Sequence, residues 1–287
     1  MERFYSIISQ HTQRLGGAPL NVSLRLQSYG VDVNMISSVG DDVDGNKIIK
    51  YIKSSGVKTD GVQVSSSYGT GQVNVVLNDK GVASYDIAYP VAWDKILPRN
   101  HYESILKETD VFIYDSLACR DKTSRTTLLH VLKFAQYKVF DVNLRAPHYT
   151  KKLLLELIQH ANFVKFNDDE LYEVAEYLGS KYNSIEQTIV FVAKETQTDT
   201  ICVTKGAYGA VLYHQNIFYY NSGYRIKVLD TVGSGDSFLA SVIYKLFNGE
   251  GPQLAIDFGC AVGAMVAKSE GANPIFSMQR INKFMNP

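Results

Sequence analysis

Short β-rich runs alternate with helix-like segments along much of this 287-residue chain. Five of these runs end in polar or glycine residues, and they read VNMISSVG, VFIYDSL, KVFDVNLR, NFVKFN and TICVTKG. This rhythm predicts an α/β fold built on a parallel sheet. Because ligands bind beyond the carboxyl ends of the strands in such sheets, the polar residues at those ends are the first candidates for chemistry.

Bulk composition limits the class of partner. An apolar content of 45% suits one large domain, and no repeat or linker divides residues 1–287. Lys plus Arg and Asp plus Glu both total 29, so no excess charge favours nucleic acid or a membrane. Cys119, Cys202 and Cys260 are far apart, without metal-ligand spacing, which predicts a reducing compartment. With no signal-peptide or membrane-span pattern, we expect a cytoplasmic protein.

One stretch breaks the alternation of strands and helices. Residues 70–89, TGQVNVVLNDKGVASYDIAY, contain two alternating runs around NDKG at 78–81, a turn signal for an antiparallel hairpin. We expect this hairpin to form a small β lid over residues 68–92, with part of residues 1–16 beside it.

The stretch LDTVGSGDSFLASVIYKLF, residues 229–247, places glycines before a long apolar run. The run YRIKVLD is predicted to be a strand and SFLASVIYKLF a helix, so Gly233, Ser234 and Gly235 occupy the turn between them. Unpaired amides and the positive end of the helix dipole favour phosphate oxygens at such a turn. Asp236 could accept the proton of an attacking hydroxyl. Taken alone, a glycine turn with an aspartate at a helix start explains the stretch at least as well.

Two further clusters lie at predicted helix starts. In RLGGAPLNVS, Gly16, Gly17 and Asn21 offer backbone amides and a carboxamide to a hydroxylated ligand. In SSVGDDVDGNKI, Asp42 follows a predicted strand. An ordinary helix start and a capping loop are the alternative interpretations of these two segments.

Polar residues also follow two neighbouring predicted strands. DVNLR supplies Asp141, Asn143 and Arg145, and NDDE follows at 167–170. Carboxylate and amide oxygens at adjacent strand ends can hold the water shell of Mg²⁺, although two surface loops would look the same.

The last two segments are candidates for nucleotide contact. TKGAYGA predicts a tight hairpin that brings Thr204 and Lys205 to where a nucleotide phosphate could lie. GCAVGAMVAKSEGA predicts a helix of small residues, whose surface would admit a flat purine or allow tight helix packing.

Together these motifs resemble the ribokinase-like carbohydrate kinases of the phosphofructokinase-B type, in particular their bacterial fructokinase branch. The resemblance runs from about residue 14 to the end, through GGAPLNVS, VGDDVDG, AWD, DSLACRDKTSRTTLL, DVNLR, NDDEL, TKGAYG and DTVGSGDSF. It implies a three-layer αβα core with a small β lid, ATP as phosphate donor and Mg²⁺. It further implies phosphorylation of a primary hydroxyl of a ketohexose, fructose to fructose 6-phosphate, by a homodimer joined through its lids.

The resemblance also assigns roles to individual residues. Asp236 is implied to be the catalytic base, and the amides of Gly233, Ser234 and Gly235 the anion hole. The implied sugar contacts are Gly16, Gly17, Asn21 and Asp42, with Asn143 and Arg145 close to the transferred phosphate. The implied nucleotide contacts are Thr204, Lys205, Gly206, Gly209 and Ala264. The implied metal contacts are Asn167 and Glu170 for hydrated Mg²⁺, and Asp230 for a monovalent cation such as K⁺.

One departure bears on the substrate. The family pattern begins with a strand and an aspartate that binds sugar hydroxyls, but residues 1–15 contain no aspartate. A misplaced start codon, residues omitted from the chain, or a strand formed by ERFYSII without its ligand would each account for this. Ribose, 2-keto-3-deoxygluconate or a nucleoside is the alternative acceptor, and a binding-only sensor is the alternative outside enzymes.

Overall fold

The computed structural model describes residues 15–77 and 83–286. The strands are β1 (Ser37–Gly40), β2 (Val62–Ser65), β3 (Val73–Leu77), β4 (Ala83–Ile87), β5 (Val111–Asp115), β6 (Tyr137–Asp141), β7 (Phe163–Asn167), β8 (Thr200–Thr204), β9 (Ala210–His214) and β10 (Ile217–Asn221). The α-helices are α1 (Ala18–Gln27), α2 (Val43–Ser54), α3 (Asn100–Lys107), α4 (Lys122–Val131), α5 (Lys151–Gln159), α6 (Asp168–Tyr177), α7 (Ile185–Thr196), α8 (Ser234–Phe247), α9 (Pro252–Ala267) and α10 (Met278–Met285).

A six-stranded sheet of order β10-β9-β8-β7-β6-β5 forms the centre. Strands β5 to β8 run parallel, whereas β9 and β10 are antiparallel additions at one side. The parallel strands are mostly apolar because helices cover both of their faces. All five strand predictions are confirmed, and the sheet is mixed rather than purely parallel.

The two faces of the sheet carry separate apolar cores. On one face Phe140, Val164 and Phe166 pack with side chains of α5, α6 and α7. On the other face Phe163 and Cys202 pack with side chains of α8 and α9. Helix, sheet and helix therefore form the predicted three-layer αβα core.

Two smaller pairs of strands accompany this core. Strands β3 and β4 form the predicted antiparallel lid hairpin, with Val73 opposite Ile87; its turn lies outside the described residues, as do residues 1–14. Strands β1 and β2 form a separate parallel pair. Among the described residues, β5 is the last strand of the central sheet and does not pair with β1.

The strand predicted at YRIKVLD, residues 224–230, is wrong. This segment has no regular secondary structure. The amides of Leu229 and Asp230 both donate to the carbonyl of Ala267 at the end of α9, at 2.8 and 3.2 Å. Its backbone is thus engaged by a helix end, and β10 ends the sheet before the chain reaches it.

The described helices include none long and apolar enough to cross a membrane. Cys119, Cys202 and Cys260 are all buried free thiols.

Candidate active site

A row of polar side chains crosses the sheet near the carboxyl ends of β5, β6 and β7. Asp115 is in register with Asp141, and Asp141 with Lys165, which in turn lies opposite Cys202. Residues in register on parallel strands project from the same face. Because Cys202 packs into the core beneath α8 and α9, this row faces the layer that contains α8.

Asp141 and Lys165 form a buried ion pair, with Nζ to Oδ1 at 3.0 Å. Burial opposes the charge of Lys165, but the carboxylates of Asp141 and Glu170 outweigh it and raise the lysine pKa. A Cβ at Gly235 would lie 3.6 Å from the Lys165 Nζ, so this cation lies beneath the first turn of α8. Sequence reasoning missed Lys165, although a lysine inside the apolar run FVKFN was a visible signal.

The turn before α8 requires glycine. Gly233 has φ +75°, and a Cβ there would lie 2.6 Å from the Cβ of Ala272. The Ser234 amide donates to the Thr231 carbonyl at 3.2 Å, and its hydroxyl donates to the Gly263 carbonyl at 2.9 Å. Ser234 therefore already has partners, and the amide of Gly235 is in the first turn of the helix, where no intrahelical acceptor is available.

Asp236 lies in this first turn and accepts a 2.8 Å hydrogen bond from Asn21 Nδ2. Burial raises the pKa of Asp236 to about 6; the Asn21 bond and Lys165 oppose the rise, and Asp141 adds to it. Asn273 Nδ2 donates to Asn21 Oδ1 at 2.8 Å, which fixes the direction of the Asn21 amide. Sequence reasoning missed Asn273, which carries no local signal.

The predicted glycine pair lies at the start of α1. Gly17 has φ +120° and is the residue before the helix. Its carbonyl accepts a hydrogen bond from the backbone N–H of Asn21 at 2.9 Å. Gly16 and Gly17 are both exposed. The structure therefore brings Asn21 into contact with Asp236, 215 positions away in sequence, and places Gly16 and Gly17 beside Asn21.

Asp42 bonds to the residue at the base of the lid hairpin. Its carboxylate caps α2 through the Gly45 amide at 2.7 Å and accepts from the Thr70 amide and hydroxyl at 2.8 and 2.7 Å. The Thr70 bonds, followed by the Gly45 bond, lower the pKa of Asp42. Because Thr70 precedes β3, Asp42 is anchored to the base of the hairpin, and a sugar contact from it stays a prediction.

Asn167 and Glu170 form a capping box at the start of α6. Glu170 accepts the amides of Asn167 and Leu144 at 2.7 and 2.9 Å, and Asn167 Oδ1 accepts the Glu170 amide at 2.8 Å. Among the described residues, no three His, Cys, Asp or Glu side chains are grouped to hold a metal. This donor set fits Mg²⁺ held through its water shell and not by direct coordination.

The predicted nucleotide contacts lie on two elements, the β8–β9 turn and α9. Lys205 and Gly209 close the β8–β9 hairpin through a 2.8 Å backbone bond, with Gly206 in the short turn between them. Thr204 ends β8, and its hydroxyl donates to the Phe166 carbonyl at 3.3 Å. Ala264 is half-buried on α9, next to Gly263, which receives the hydroxyl of Ser234.

The remaining predicted residues lie in loops around the site. Asn143 has a left-handed φ of 40°, and Arg145 donates to the Leu144 carbonyl at 2.8 Å. Asp230 accepts the amides of Val232 and Gly271 at 3.0 and 3.3 Å, so it joins the loop before α8 to the loop after α9.

Arg120 is a further residue that sequence reasoning did not identify. Its guanidinium makes a bidentate pair with Asp94 at 2.7 and 2.8 Å and donates to the carbonyls of Ile87 and Ala88. It also lies over the Trp93 ring, at 4.1 Å from the centroid. Arg120 therefore fixes the end of lid strand β4 to the core.

The chain is similar to several proteins named as sugar kinases. Fructokinase-2 of Solanum habrochaites is 25% identical over 276 residues, which cover 90% of this chain and 83% of that protein. The 5-dehydro-2-deoxygluconokinase of Listeria innocua is 26% identical over 279 residues, which cover 90% and 82%. Vibrio cholerae fructokinase, solved with fructose, ADP and calcium ion, has a TM-score of 0.80 at 22% identity and covers 94% of this chain and 91% of its own.

The family model of the pfkB family carbohydrate kinases matches residues 6–278. This match includes the glycine turn, Asp236 and the segments that carry Asn21 and Asn273. The chain therefore belongs to the pfkB family of carbohydrate kinases.

Proposed function

We propose that this kinase transfers the γ-phosphate of ATP to a primary hydroxyl of a ketohexose and converts fructose to fructose 6-phosphate. The observation that carries the proposal is the Asp236 carboxylate, oriented by Asn21 at the N-terminus of α8. A carboxylate beside unpaired amides can take a hydroxyl proton while the amides hold the migrating phosphoryl group. The likeness to a plant fructokinase supports fructose as the acceptor.

Within this proposal, Asp236 accepts the proton late, because the hydroxyl becomes acidic only as its bond to phosphorus forms. Amides at the first turn of α8 stabilise the charge on the transferred group, with Lys165 adding positive charge beneath them. Asn167 and Glu170 would order hydrated Mg²⁺, which supplies charge neutralisation on the phosphates. The lid over the acceptor would exclude water and limit wasteful hydrolysis of ATP.

Three further features belong to the proposal. Asp230, which joins two loops through backbone amides, is proposed to lie near a K⁺ site. The hairpin of β3 and β4 is proposed to pair with the same hairpin of a second copy. A cytoplasmic location also stays a prediction, based on the sequence.

The experiment that tests the function is ATP consumption with Mg²⁺ across fructose, ribose, mannose, glucose, 2-keto-3-deoxygluconate and adenosine. We expect turnover with fructose, and we expect Asp236→Ala to abolish it. A preference for another acceptor would correct the substrate and keep the kinase. Equal ATP consumption by wild type and Asp236→Ala would refute the assignment of Asp236.

A further inference from the structure

Asp115 is a buried carboxylate to which the proposed mechanism gives no task. It lies at the carboxyl end of β5 and is only 6% exposed. Burial raises its pKa to about 6, and the amide of Ala118 and the side chain of Asn143 oppose this rise. Burying a carboxylate costs folding free energy. Carboxylates with a raised pKa next to a reactive centre are therefore candidates for a functional role.

The position of Asp115 directs it towards the acceptor side of the site. It stands in register with Asp141, so both project towards the layer of α1 and α8. Helix α1 contacts β5 directly, and α1 carries Asn21. Asn21 of α1 donates to the Asp236 carboxylate, so α1 connects the end of β5 with the transfer site.

Charges of both signs act on Asp115. The Asp141 carboxylate raises its pKa and the Arg145 guanidinium lowers it, while the cation of Lys165 is paired with Asp141. Asp115 Oδ1 accepts the Ala118 amide at 3.0 Å, which leaves further lone pairs on a carboxylate that can accept about four hydrogen bonds.

A ligand with several hydroxyl donors fits the remaining lone pairs of the Asp115 carboxylate. Hydroxyl groups donate to a carboxylate without adding charge, and such charge-assisted bonds are roughly twice as strong as neutral ones.

We propose that Asp115 is a specificity-determining residue whose carboxylate accepts hydrogen bonds from hydroxyls of the acceptor sugar that are not phosphorylated. The inference rests on the proposed function, because it presumes a polyol acceptor next to Asp236. It assigns the recognition of those hydroxyls to the end of β5. A purely structural role would be to cap the short turn at Leu117–Cys119 through the Ala118 amide.

Asp115→Asn separates these two roles, because the amide oxygen still accepts the Ala118 amide while the negative charge is lost. We expect the KM for fructose to rise tenfold or more, the KM for ATP to stay within twofold and the Tm to stay equal or rise. Asp110→Asn is the matched control, since Asp110 is an exposed aspartate just before the other end of β5. It should change neither KM.

Deoxyfructose analogues that each lack one hydroxyl identify the bond itself. For the analogue without the hydroxyl that Asp115 binds, wild type and Asp115→Asn should have the same KM. An unchanged KM for fructose in Asp115→Asn, with wild type active, would overturn the role of Asp115 and leave the kinase function standing. Failure of the wild type to bind or phosphorylate any acceptor would refute the proposed function, and the role of Asp115 with it.

Discussion

The transfer centre around Asp236 and the hinge of the lid hold carboxylate charge in opposite ways. The hinge is the pair of anchors at the two ends of the hairpin, where Asp42 bonds to Thr70 and Arg120 bonds to the end of β4. At the transfer centre, burial raises the pKa of both Asp115 and Asp236 to about 6. At the hinge, Asp94 has a bidentate partner in Arg120, and Asp42 accepts three hydrogen bonds. The first region is thus built at a cost in stability, and the second contributes stability. Substitutions in the two regions should therefore separate activity from folding.

The largest effect on activity should come from Asp236→Asn. Loss of a general base lowers kcat by about 10² to 10⁴. The native pKa of about 6 lies above the ordinary value, so the ionised carboxylate destabilises the fold above pH 6. The substitution should raise the unfolding free energy at pH 8, by at most about 3 kcal/mol.

Initial rates and urea unfolding at pH 8 and pH 4 check both halves of this prediction. At pH 4 the wild-type carboxyl is protonated in the native state, so the gain in stability should shrink. Loss of both activity and stability in Asp236→Asn at pH 8 would contradict the view that the Asp236 charge destabilises the fold.

The hinge should show the opposite pattern when Arg120 is replaced by Met. Breaking a buried ion pair by removing one partner costs about 3–5 kcal/mol, because Asp94 is left buried and unpaired. Urea unfolding should show this loss, while kcat per folded molecule falls much less than in Asp236→Asn. Lys58→Met, which removes an exposed ion pair with Asp32, is the control and should change stability little. A neutral Arg120→Met would mean that the lid is not anchored there.

The pH dependence of kcat/KM sharpens the contrast. Asp236 must be ionised to accept a proton and Asp115 to bind the acceptor, and burial raises the pKa of both to about 6, so kcat/KM should be flat above pH 7 and fall by about tenfold to a hundredfold per pH unit below about 6. Protonation of Asp236 removes a buried charge that destabilises the fold. The loss of activity in this pH range should therefore occur without unfolding. A rate that is flat down to pH 5 would show that Asp236 does not titrate as the base.

The same division explains what could be predicted from sequence. The glycine turn before α8, the position of Asp236 in the first turn of that helix and the five strands could be predicted because each depends on a local pattern of a few residues. The role of Asp236 as the base stays a prediction. Asn273 and Arg120 were not, since their roles depend on contacts with residues far away in sequence. Lys165 lay in between, as an unusual residue in a strand whose partner Asp141 only the register reveals. The strand predicted at 224–230 was wrong because its apolar alternation gave no sign that α9 takes its amides.

The smallest of these effects tests the hinge without touching a charged residue. Thr70→Val keeps the side-chain shape but removes the hydroxyl that donates to Asp42 and accepts the Gly40 amide at 3.0 Å. An unsatisfied amide and a lost bond to a carboxylate should lower the unfolding free energy by about 1–3 kcal/mol. The Asp42 pKa is lowered largely by Thr70, so this loss should be present at pH 7 and fade as the pH falls below the ordinary aspartate value.

Chemical denaturation at pH 7 and below the ordinary aspartate pKa measures this loss of stability in Thr70→Val. ATP hydrolysis in the absence of acceptor is measured beside it. If the hinge serves only to place the lid, Thr70→Val should change the rate of ATP hydrolysis without acceptor. The pH below which kcat/KM falls should stay the same, because the two regions share no titrating group. A shift of that pH in Thr70→Val would instead show that the hinge and the transfer centre are electrostatically one site.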